Sequence, residues 1–125
     1  MNAILAVAAG GALGAVGRFG VQIVMIRAFG AGFPLGTLVV NVIGSLMMGF
    51  LAHWFLSRGV SPELRNFVLI GCLGALTTFS TFSLDAVTLY QRGEIGAAAL
   101  YVILSVVLSI GALFAGLALS RMMFA

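Results

Sequence analysis

The chain has almost no charge. Only 7% of its 125 residues are Asp, Glu, Lys or Arg, against about 25% in a soluble domain. No lysine is present, so the net charge of +3 comes from six arginines against three acids, Glu63, Asp85 and Glu94. Such a chain has few charged groups to clothe a globular surface, so a soluble domain fits poorly and an integral membrane protein is the default expectation. With no basic run, nucleic acid is not an expected partner. Cysteine is nearly absent too: Cys72 stands alone, which rules out an intrachain disulfide and any Cys/His metal spacing. Paired carboxylates, a nucleophile beside a base and a phosphate-binding glycine loop are all missing, and no enzyme is expected. Nor is a cleavable signal peptide, because the N-terminus has no basic region and its first apolar stretch runs into Arg18.

What the chain has is apolar length. Hydrophobic residues make up 62%, and windows 1–17, 28–57, 66–84 and 95–120 hold no charge at all. A membrane-crossing helix needs about 20 apolar residues. The expected architecture is therefore all-α and integral to a membrane, a single four-helix transmembrane domain over 1–125. Helix 1 covers about 3–29, helix 2 about 36–56, helix 3 about 63–90 with a break near 74–78, and helix 4 about 94–120. Pro34 among glycines turns the chain after helix 1. Ser61-Pro62-Glu63 reads as the cap and first turn of helix 3. Gly10, Gly14 and Gly17 share a face of helix 1, where a neighbour can approach closely.

Four spans place both termini on one side. Arg58, Arg65 and Arg121 flank that side, and Arg27 and Arg92 the other. Arginine bias sets orientation in membranes, and here it is nearly balanced. Either the chain inserts both ways and pairs as an antiparallel homodimer, or other signals fix one orientation. Four short helices scarcely enclose a pore alone, which favours the pair.

Polar residues fall in stripes. Thr37, Asn41, Ser45 and Gly49 recur every four residues on helix 2, and Tyr101, Ser105 and Ser109 do so on helix 4. The third polar group is the run Thr77-Thr78-Phe79-Ser80-Thr81-Phe82-Ser83, five hydroxyls and two aromatic rings within an apolar span. Hydrocarbon offers hydroxyls no partner, so each stripe is either helix–helix glue or the lining of a path. Phe79 and Phe82 share a helix face. They are ordinary packing or lipid-facing residues, or they present positive ring edges to an anion. Hydroxyl and amide donors, including Asn41, would then complete a partial replacement of its hydration shell without a full positive charge.

Gly71, Gly74 and Ala75 weaken helix 3 just before this run. A break there is either a plain kink or a site where freed carbonyls hold a small cation such as Na⁺; in an antiparallel pair, two such ends would meet at the centre. Arg18 within helix 1 either lines an aqueous vestibule, snorkels to the interface or pairs with Asp85, the one acid near the membrane interior. His53 and Trp54 read as interface residues.

Taken together, Gly36-Thr37-Leu38-Val39-Val40-Asn41, the run Gly71–Ser83 and the early Gly10, Gly11, Gly14 and Arg18 resemble the CrcB/Fluc family of fluoride channels, over the whole chain and in the same order. The resemblance implies an antiparallel dual-topology homodimer with two pores and a central structural Na⁺, residing in the cell (inner or plasma) membrane as a multi-pass protein. It implies Phe79 and Phe82 as pore phenylalanines, Asn41 as the pore asparagine, and Tyr101, Ser105 and Ser109 as a polar track. Ser80 and Thr81 would face the ion path, Arg18 the vestibule, and the carbonyls of Gly74 and Thr77 the Na⁺. Many members carry Gly-Gly at Gly74-Ala75 and Glu at Asp85. The implied activity is passive export of cytoplasmic fluoride, relieving its toxicity, driven by an interior-negative potential worth ~2.3 kcal/mol per 100 mV. The alternatives are a small dual-topology proton-coupled multidrug exporter, which needs an acid where Arg18 stands, and a non-transporting assembly subunit.

Overall fold

The computed structural model describes residues 2–125, and among them the regular structure is entirely helical. Helix α1 (Ala3–Phe29) begins where the Asn2 side chain accepts the Ile4 N–H, and ends at Gly30, whose φ of 81° a side chain would resist. Helix α2 (Leu35–Ser57) follows Pro34. The third helical stretch opens with α3 (Pro62–Arg65), capped by Ser61 with Pro62 in its first turn. It widens into a π-helical segment (Asn66–Leu73) and returns to α geometry as α4 (Gly74–Leu76). Thr77 and Thr78 are extended, with φ/ψ of −82°/154° and −156°/125°. Helix α5 (Phe79–Gln91) starts directly after them. Helix α6 (Ile95–Met123) closes the fold, three residues beyond the Ser120 end expected from the sequence.

Ala3–Phe29, Leu35–Ser57, Pro62–Gln91 and Ile95–Met123 are each long and apolar enough to cross a membrane. The surface agrees with that reading: Val16, Phe29, Ile103 and Phe114 are all more than half exposed, an arrangement water penalises and lipid does not. The chain is a multi-pass membrane protein.

Helices pair where side chains vanish. The most extensive contacts are α2 with α6 and α1 with the π segment. A Cβ at Gly10 or Gly14 would run into the carbonyls of Phe67 or Cys72, so α1 lies backbone to backbone on the π segment. Gly49 and Gly116 do the same for α2 and α6, against the carbonyls of Leu113 and Leu46. Gly17, by contrast, is exposed and only loosely apposed to Leu76. The buried cluster of Leu38, Phe82, Leu89, Ala98 and Tyr101 joins α2, α5 and α6.

Candidate functional site

The four-residue stripe on α2 divides its labour. Thr37 is buried and hydrogen-bonds to Asp85; Asn41 grips the backbone at Thr78; Ser45 lines a groove; Gly49 admits α6. The Asn41 grip is two-sided. Its Nδ2 donates to the Thr78 carbonyl at 3.0 Å, and its Oδ1 accepts the Thr78 N–H at 2.7 Å. An amide side chain thus imitates a β-strand partner and satisfies both backbone groups of an extended residue that hydrocarbon would otherwise leave unpaired. Beside it, Gly44 leaves room for the Thr77 side chain.

These contacts redirect helical hydrogen bonds. In a continuous helix the Gly74 carbonyl would accept from Thr78 N–H and the Thr77 carbonyl from Thr81 N–H. The first of these donors goes to Asn41 Oδ1, and the second to Thr78 Oγ1 at 3.1 Å. Most hydroxyls of the run are likewise spent on nearby backbone: Thr77 Oγ1 donates to Leu73 O and Ser83 Oγ to Phe79 O, each at 2.9 Å. Ser80 is exposed, with its Oγ 3.3 Å from Thr78 Oγ1.

A groove of about 570 Å³ runs beside this junction, lined by Asn41, Ser45, Gly74, Thr77, Thr78, Phe79 and Phe82 and, from α6, by Ser105 and Ser109. Ser80, Thr81, Tyr101 and Arg18 are not part of its wall. Among the described residues, Ser105 Oγ and Ser109 Oγ are buried with no hydrogen-bond partner. Buried hydroxyls are ordinarily paired, so both are free to donate to something in the groove. The rings of Phe79 and Phe82 stand 5.4 Å apart between centroids. Phe82 is buried, whereas Phe79 is 78% exposed. The positive end of α5 opens at Phe79, on the same wall. Among the described residues, no cationic side chain lines the groove, and donors and ring edges supply what positive potential it has.

Tyr101 connects the groove to a second polar cluster. Fully buried, it packs at a tilt against Phe82, with ring centroids 5.4 Å apart, and meets Phe33 edge-on at 5.6 Å. Its hydroxyl donates to Asp85 Oδ2 at 3.1 Å, and Thr37 Oγ1 donates to the same oxygen at 2.7 Å. Asp85 is therefore held by hydroxyls, and Arg18, half-buried on α1, is not among these partners. Gln22, which composition and motif had not singled out, donates to Thr37 Oγ1 at 3.0 Å. Its signal in the sequence is slight: one amide, a turn after Arg18, in an apolar helix.

Residues 5–117 match the family described as CrcB-like protein, Camphor Resistance (CrcB). The chain belongs to the CrcB family. Among relatives of this CrcB chain, the fluoride-specific ion channel FluC of Rhizobium meliloti (strain 1021) is 52% identical over 124 residues, covering 98% of this chain and 99% of the relative. FluC 2 of Nitrobacter hamburgensis is 54% identical over 122 residues, covering 97% and 98%. FluC of Agrobacterium fabrum (strain C58) is 49% identical over 122 residues, with the same coverage.

Proposed function

We propose that this protein is a fluoride-specific channel that lets cytoplasmic fluoride leave the cell passively through its plasma (inner) membrane. The observation that carries the reading is the pair of hydroxyls of Ser105 and Ser109, buried and without a partner among the described residues, in the same groove lining as Phe79 and Phe82. Fluoride only accepts hydrogen bonds. Hydroxyl donors and aromatic edges can take over part of its hydration without a fixed cation that would trap it. The names and full-length coverage of the relatives support the same ion. A proton-coupled exporter lacks support, since α1 offers Arg18 where such a mechanism needs an acid.

The finer architecture belongs to the same proposal. Pro62–Gln91 is one span interrupted in mid-membrane at Thr77–Thr78. Two copies pair antiparallel, which would cover the open side of the groove and give Phe79 an environment other than lipid. The Gly74 and Thr77 carbonyls, both deprived of their helical donors, fit a structural Na⁺ at the dimer centre. Bound there, the ion would supply the charge that completes these carbonyls. Tyr101, Ser80 and Thr81 would serve the ends of the path, and Arg18 would draw anions to its mouth.

The test is efflux from liposomes followed with a fluoride electrode, with chloride as the control. Rapid fluoride loss with chloride retained is the expected result; retention of both ions by well-folded protein rejects the reading.

A further inference from the structure

We infer that Gln22 is a positioning residue of the anion pathway: it fixes the direction of the Thr37 proton and so holds the Asp85 carboxylate and the Tyr101 hydroxyl in place. Donor counts set that direction. A threonine hydroxyl has one proton and a side-chain amide NH₂ only donates. Gln22 Nε2 donates to Thr37 Oγ1, which commits the Thr37 proton to Asp85 Oδ2. Tyr101 donates to the same oxygen. The carboxylate is thereby fastened, and the Tyr101 ring that packs at a tilt against Phe82, a residue of the groove wall, is fastened with it. Without Gln22 the Thr37 hydroxyl is free to turn and one anchor of Asp85 loosens. The negative charge can then swing toward the anion path.

The seat of the amide is itself shaped for it. A Cβ at Gly36 would lie 2.6 Å from Gln22 Oε1 and 3.0 Å from its Cδ, so the missing side chain at Gly36 is what admits the amide. Gln22, Gly36 and Asp85 also share a small cavity of about 120 Å³ under the α1–α2 turn. The charged or titratable groups near the amide are Asp85, Tyr101 and Arg18, the last one turn earlier on α1.

This rests on the fluoride-channel reading, and the test separates the two. Asp85 is the only aspartate of the chain, so ¹³C-aspartate labelling gives an infrared carboxylate band from one residue. Gln22→Leu is expected to shift that band and to slow fluoride efflux about tenfold, the low end of what losing an outer partner does to the group it orients. Gln22→Glu is the second variant. A reference glutamate titrates near pH ~4.3, and two carboxyl groups sharing a site resist ionising together. Ionised, the introduced carboxylate offers Thr37 no donor and repels Asp85; protonated, it donates as the amide did. Efflux through this variant is therefore expected to be low at about pH 7.5 and to recover at about pH 5.5, with a flat wild-type profile over that range. If Gln22→Leu does not fold, this recovery decides. An unmoved Asp85 band, or a Gln22→Glu profile that follows wild type, overturns the inference while leaving the channel intact. A wild type that passes no fluoride overturns the channel reading instead, and the band alone then judges the placement.

Discussion

A single amide, Asn41, pairs both backbone groups of Thr78. Replacing it by Asp keeps the shape and removes the donor, which sets two acceptors against each other and puts a negative charge on the wall of the groove proposed to pass an anion. Unpairing a buried backbone group costs about 1–3 kcal/mol. Asn41→Asp is therefore expected to lower the melting temperature in detergent and to abolish fluoride efflux; unaltered efflux would remove Asn41 from the path. The two phenylalanines separate stability from transport. Phe82 is 8% exposed and packed between Phe79 and Tyr101, whereas Phe79 is 78% exposed. Phe82→Ile should slow efflux and cost about 1–2 kcal/mol in stability, while Phe79→Ile should slow efflux with little change in monomer stability, both read by thermal unfolding beside an electrode assay. The sequence made Asn41, Phe79, Phe82, Ser105 and Ser109 visible as polar or aromatic residues at helical spacing inside apolar spans. It did not reveal what Asn41 holds, because the partner is backbone 37 residues away and its exposure depends on an extended dipeptide. Gln22 stayed hidden for a related reason: one amide has no periodicity, and its meaning lies in Thr37, Asp85 and the empty position at Gly36.

Among the elements, the α-helices were legible from uncharged length and from Pro and Gly in the turns, and their packing from small residues. Gly10 and Gly14 on α1 face the π segment as their spacing suggests. The π geometry of Asn66–Leu73 was not legible, since Asn-Phe-Val-Leu-Ile-Gly-Cys-Leu carries no composition that distinguishes an i→i+5 from an i→i+4 ladder. Tertiary contact with α1 accompanies it. The α2–α6 pair gives the cleanest test of close packing. A methyl at Gly116 would strike the Leu46 carbonyl, while one at Gly96, in the first turn of the same helix, meets nothing within 4 Å. Gly116→Ala is expected to destabilise by about 1–3 kcal/mol. Gly96→Ala should be neutral or stabilising, by up to about 1 kcal/mol from helix propensity. Equal melting temperatures for the two variants would mean that α2 and α6 do not meet through this glycine.

At the scale of the molecule, a single chain leaves the groove uncovered. The groove is open, Phe79 is exposed and apolar side chains cover the exterior. The arginines that normally choose an orientation are split three to two between the two sides. The antiparallel pair proposed above would resolve both facts, because each copy would then cover the other's groove and neither orientation need dominate. The charge balance can be tipped without touching the groove. Met122→Arg with Ala125→Arg adds cations where the termini lie, and Ala31→Arg with Gly32→Arg adds them in the α1–α2 turn; all four positions are exposed. Each double variant is expected to insert one way, as read by labelling of a terminal cysteine in intact cells, and to give little fluoride efflux when expressed alone. Co-expression of the two supplies both orientations and should restore efflux to near the wild-type rate. If either variant, shown by labelling to lie in one orientation only, conducts fully by itself, the functional unit is not an antiparallel pair.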